Sequence, residues 1–156
     1  MRFATSIIFL MAFAASGADD PFTGIWKLNL QKSKISSPVP LNYTIRIEAD
    51  EKNIRITQEG IGVKGESFRF KVSGGFDRKD YGVLDSPAID TVRFDRPDSH
   101  TIFGRALKSG NEVAAGTAVL SKDGKSIKIS FSMTNPGGKE IKATAVLDRQ
   151  PDSALP

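Results

Sequence analysis

Gly24-Ile25-Trp26-Lys27-Leu28-Asn29 opens the first strand-like run of the chain, and its tryptophan is the only one in the sequence. Trp26, Leu28 and Leu30 recur every second residue, the period of an extended strand with one buried face. Gly24 lets the backbone turn tightly into that strand. An indole at the first inward position reads as a plug closing one end of a β-structure. The same alternation continues through nearly every later segment, broken at short intervals by turn residues, the pattern of an antiparallel meander. No stretch carries a capped helical stripe.

A second strand from Leu41 to Ala49 turns Leu41, Tyr43, Ile45 and Ile47 inward. Ile54 and Ile56 form the inner face of the next strand, then Phe68, Phe70 and Val72. Tyr81 to Leu84 is a short strand. Ile89 to Asp95 follows with Val92 and Phe94 on one face, and Arg96 to His100 reads as a turn. Strands at Thr101–Lys108 and Glu112–Leu120 flank a tight hairpin at Ser109-Gly110-Asn111. Asp123-Gly124 is a strong hairpin signal. Ile127, Ile129, Phe131 and Met133 alternate cleanly, and a last strand, Glu140 to Arg149, turns Ile141, Ala143, Ala145 and Leu147 inward. Eight to ten twisted strands in one meander close on themselves, because closure removes exposed edges. The expected fold is all-β: an antiparallel up-and-down barrel, poor in helix. With an even strand count, the last strand returns to the end where Trp26 enters. Arg149 then arrives beside Trp26, where its guanidinium can lie on the indole face. The Pro- and Ser-rich loop from Gln31 to Pro40 falls at the opposite end, placed as a lid.

The first 18 residues read as a secretory signal: Arg2, an apolar stretch from Phe3 to Ala15, then Ser16, Gly17 and Ala18 ahead of Asp19. Cleavage near Ala18, export to the periplasm or medium, a barrel domain over 19–149 and a disordered tail over 150–156 are the expectations. No later segment is long and apolar enough to cross a bilayer as a helix. The chain has no cysteine, which excludes disulfides, thiol catalysis and Cys-based metal sites. The net charge of +4 is spread over outward strand positions, and no basic motif points to nucleic acid.

These residues resemble the lipocalin-like (calycin) barrels. Those proteins carry Gly-x-Trp at the first strand, a basic residue late in the barrel that packs on that tryptophan, and a long first loop guarding the mouth. Gly24, Trp26, Arg149 and the Gln31–Pro40 loop stand in the matching places. More narrowly, G-I-W-K-L-N with K-S-K after it, K-D-Y at 79–81, D-T-V at 90–92 and S-K-D-G-K at 121–125 are similar to a group of exported bacterial proteins described only as lipocalin-like. The resemblance implies a binding barrel and brings no established activity. Lipocalins carry a helix beside the barrel, and none is legible here, which favours a helix-poor relative.

The candidate ligand-binding residues are Tyr43, Ile45, Ile56, Phe68, Phe70, Phe94, Phe131 and Met133. They either line an apolar cavity with Tyr43 as its polar handle or fill a dry core. Small residues tip the balance toward a cavity: Gly104, Ala106, Ala115, Ala143 and Ala145. Asp77, Asp80, Asp85 and Asp90 fall in one region, but their spacing matches no calcium loop and Asp is a favoured turn residue. His100, the only histidine, follows Asp98 and Ser99; three adjacent turn residues make a poor triad, and no G-x-S-x-G elbow exists. No catalytic residue, metal site or cofactor is expected, and the chain reads as no enzyme. The function expected is binding of a small, largely apolar ligand. The alternative is a filled barrel acting through its surface as an envelope-associated interaction or inhibitor module.

Overall fold

The computed structural model describes residues 19–35, 42–62, 64–134 and 137–152. The signal-like segment 1–18 and the second half of the expected lid, 36–40, lie outside the described residues, as do the last four residues of the tail. The strands are β1 (Gly24–Leu28), β2 (Asn42–Ala49), β3 (Asn53–Ile61), β4 (Ser67–Gly75) and β5 (Tyr81–Leu84). They continue as β6 (Thr91–Asp98), β7 (Thr101–Lys108), β8 (Asn111–Leu120), β9 (Ser126–Thr134) and β10 (Glu140–Gln150). Each pairs antiparallel with its neighbours in sequence, and β1 also pairs with β10, so the meander closes into a ten-strand, lipocalin-like up-and-down barrel. No helix occurs among the described residues.

Local chemistry makes the turns. Asp50 Oδ1 accepts the backbone N–H groups of Lys52 and Asn53 at 2.7 and 2.8 Å, bending β2 into β3. Ser109 and Gly110 both take positive φ, 51° and 77°, as a two-residue hairpin with the twist of its strands requires. Asp123 accepts from Ser121 Oγ and Lys125 N–H in the β8–β9 turn.

One end of the barrel, the floor, is packed solid. Trp26, Phe22, Ile127 and Leu147 are fully buried there. Trp26 sits directly opposite Arg149 in the β1–β10 register, and the guanidinium lies 4.1 Å above the indole. The same group donates to the carbonyls of Thr23, Pro21 and Gly124 at 2.8, 2.6 and 2.7 Å. It therefore ties the N-terminal segment and the β8–β9 turn over the tryptophan. Gly24, at φ 150°, lies so close that a Cβ there would stand 2.5 Å from Arg149 Nη1. That contact is a physical reason for Gly at this spacing from Trp. A second arginine reinforces the floor. Arg96 is stacked against Phe22 at 5.5 Å and Phe76 at 5.3 Å, and pairs with Asp20 at 2.5 Å.

The structure corrects several sequence expectations. Leu30 is exposed, because β1 ends at Leu28 and the chain bulges outward. Ser33 Oγ donates to Asn29 O and accepts from Val146 N–H, and Lys34 then rejoins β10 by pairing with Thr144. The first half of the expected lid is thus stitched into the wall. The 96–100 stretch is not all turn: β6 continues through Pro97 to Asp98, with a bulge after Asp95 that absorbs the proline. Gln150, expected in the tail, still pairs with Ile25. Ala115 faces outward, opposite Arg105 and Ser132; the inward small residues of β8 are Ala114, Gly116 and Ala118.

Candidate functional site

Above the floor the barrel is underfilled. Across β7, β8, β9 and β10 the inward pairs are Gly104 with Gly116, Ala106 with Ala114, Gly116 with Phe131, and Ala143 with Phe131. Glycine and alanine there leave room that larger side chains would occupy. A Cβ built on Gly104 would meet no atom within 4 Å. The result is a cavity of about 490 Å³ in the half of the barrel away from Trp26.

Tyr43, Ile45, Ile56, Phe70, Phe94, Phe131 and Met133 all line this cavity. Phe68 does not. It packs beside Tyr43, with ring centroids 6.1 Å apart and planes tilted by 39°, and so supports the wall. Sequence reasoning missed Gln58 and Ile35, which also line the space. Gln58 was within reach of period two, being the next inward position after Ile54 and Ile56. Ile35 was not, because the bulge at 30–33 resets the alternation.

The lining is almost wholly apolar. Its polar side chains are Tyr43 and Gln58, on the neighbouring strands β2 and β3. Burial pushes the Tyr43 phenol far above its ordinary pKa, and a hydrogen bond with the Gln58 side chain offsets this in part. The phenol is therefore protonated at any physiological pH. Arg105 contributes backbone to the lining, while its guanidinium pairs with Glu112 Oε2 at 3.1 Å outside the barrel. No carboxylate borders the cavity among the described residues.

The remaining candidates lie elsewhere. Asp77 and Asp80 sit before β5, at the floor; Asp85 and Asp90 sit after it, at the opposite end. Asp77 accepts from Tyr81 Oη, Asp80 pairs with Arg93, and Asp90 holds Lys108 and the Ser109 N–H. Each of these three has turn or ion-pair work to do. Among the described residues no three His, Asp or Glu side chains converge as metal donors. His100 is exposed; its Nδ1 lies 2.8 Å from Ser99 Oγ, but Asp98 binds the His100 backbone N–H, not the ring. Nothing orients that imidazole as a triad would require. No helix among the described residues is long and apolar enough to cross a membrane.

No protein-family model matches the chain. No curated protein matches it. The backbone is similar to the solved structure of EF1p2_mFAP2b bound to DFHBI, with a TM-score of 0.50 and 9% identity over 83% of this chain and 94% of that one. That likeness concerns the fold alone. Weaker likenesses are to lobster apocrustacyanin A1 (TM-score 0.46, 12% identity, 83% of this chain) and to a de novo designed fluorescence-activating β-barrel (0.44, 15%, 85%). The match spans 61% of the apocrustacyanin chain and 97% of the designed barrel.

Proposed function

We propose that this barrel binds a small, largely apolar molecule and carries or sequesters it outside the cytoplasm. The observation that carries the reading is the cavity of about 490 Å³, walled by apolar side chains, with one polar pair, Tyr43 and Gln58. Binding is by burial, each CH₂ removed from water contributing about 0.8 kcal/mol before the cost of association. The export part of this reading rests on the signal-like sequence of residues 1–18. A protein of similar backbone, EF1p2_mFAP2b, is bound to DFHBI in its solved structure, which agrees with a small-molecule ligand for a barrel of this kind. The rival, a filled barrel working through its surface, would need this interior to be closed by side chains.

The test is to fill the space. Gly104→Phe places a ring where a Cβ meets nothing, so the fold is expected to survive while the ring takes up part of the volume. An environment-sensitive apolar fluorophore should saturate one site on the wild type. It should bind Gly104→Phe clearly more weakly, at an unchanged or higher urea midpoint. It should lose the site with Phe131→Asp, which puts a charge in the wall. Undiminished uptake by a folded Gly104→Phe variant would refute the cavity as the site.

A further inference from the structure

We infer that the ligand is an uncharged amphiphile, an apolar body bearing one neutral hydrogen-bonding group such as a carbonyl or hydroxyl, and that Tyr43 and Gln58 receive that group. This rests on the carrier reading above and narrows it to a chemical class.

Three observations meet here. First, among the described residues no lysine, histidine or guanidinium head enters the cavity; Arg105, the one basic residue at its edge, is turned out to Glu112. The internal segments outside the described residues are Ser-Ser-Pro-Val-Pro-Leu at 36–41, Val63 and Asn135-Pro136, so they bring no cation either. A carboxylate taken into this wall would be a buried charge without a partner, the costliest group to place there. Second, the polar pair is set toward the upper end of the apolar volume. Tyr43 is near the start of β2, opposite Gly60, and Gln58 stands one inward position deeper, opposite Ile45 and Phe70. Below them Ile56, Val72 and Phe94 continue down to the floor. A molecule thus has an apolar channel for its body and one polar station for its other end. Third, the station is fitted to a neutral group. The phenol keeps its proton, Gln58 hydrogen-bonds it, and the pair offers both O–H and amide donors and an amide acceptor.

The volume sets the size. At roughly 30 Å³ for each water-sized group, the cavity of about 490 Å³ accommodates up to about sixteen heavy atoms. Undecanone, with its carbonyl next to the terminal methyl, and undecanoate both fit this limit and differ in head charge.

Both probes are titrated into the wild-type protein by isothermal titration calorimetry at neutral pH, then into Tyr43→Phe and Gln58→Leu. The expected result is that undecanone binds and undecanoate binds at least about a hundredfold more weakly. Each variant should weaken undecanone by about fivefold, the effect of one lost neutral hydrogen bond, with the denaturation midpoint showing that the barrel is intact. Binding of undecanoate as tightly as undecanone overturns this inference while leaving the carrier reading standing. Undecanone binding unchanged in both variants overturns the polar station. Binding of neither probe, nor of the apolar fluorophore, overturns the inference together with the carrier reading beneath it.

Discussion

Replacing Arg149 by alanine should loosen the whole floor of the barrel. The guanidinium stacks on Trp26 at 4.1 Å and donates to three carbonyls from two other segments, those of Pro21, Thr23 and Gly124. A hydrogen bond from a charged donor contributes about 1.5–3 kcal/mol when desolvated, and cation–π stacking about 0.5–2 kcal/mol. The group is only partly buried, so water re-solvates some of the abandoned carbonyls and the terms do not simply add. A net loss of about 3–4 kcal/mol is expected, a large part of the ~5–15 kcal/mol by which domains are stable. Urea unfolding followed by circular dichroism reads this as a midpoint lowered by roughly 2 M for an m-value near ~2 kcal/mol/M. Arg149→Lys is the control. It keeps the charge but not the planar fork, so it should recover less than half of the loss. An Arg149→Ala protein within about 1 kcal/mol of wild type would refute the claim that this residue ties the floor together. A Lys variant indistinguishable from wild type would show that charge alone matters.

The Asp148 carboxyl is held below its usual range by Asn29 Nδ2 at 2.6 Å and by Lys32 at 3.0 Å. Its contribution is present above the unfolded carboxyl pKa and lost as pH falls through the lower folded value. Asp148→Asn should therefore cost about 0.5–1 kcal/mol at neutral pH, discounted for partial exposure, and nothing in strong acid; the difference is read from thermal midpoints across pH. Leu147→Ala, in the solid floor, should cost about 2–5 kcal/mol. Phe131→Ala, already bordering empty space, should cost less per atom removed, as measured by denaturant unfolding. β5 is joined to β4 and β6 by two residue pairs on each side, so its amides should exchange with solvent faster than those of β8, β9 or β10 in hydrogen-exchange mass spectrometry.

The fold is legible because its rule is local. Period-two alternation in Tyr43–Ile47 and Ile127–Met133, with Asp123-Gly124 between strands, determines strand and hairpin without long-range information. An even strand count then brings the last strand to the first, which places Arg149 beside Trp26. Where local signal is ambiguous, the sequence misleads. Asn111–Leu120 carries small residues on both faces, so spacing alone lets Ala115 pass as inward; pairing with Phe131 and Met133 settles the parity and makes Ala114 and Gly116 the inward pair. Leu30 has the right spacing, but the Ser33 hydroxyl bridges Asn29 and Val146 and turns that stretch out as a bulge. The Arg96 cluster depends on Asp20, Phe22 and Phe76 meeting across the floor, a tertiary contact that no spacing announces. The choice between cavity and dry core is also beyond the sequence, since it depends on how volumes on four facing strands sum.

The most direct measurement is native mass spectrometry of the protein purified from its own compartment, followed by organic extraction of the denatured sample. The account predicts one reproducible adduct, lost on denaturation, whose extract is a neutral molecule with an apolar body and a single carbonyl or hydroxyl. A protein that is bare by mass and takes up neither undecanone nor an apolar fluorophore would contradict it.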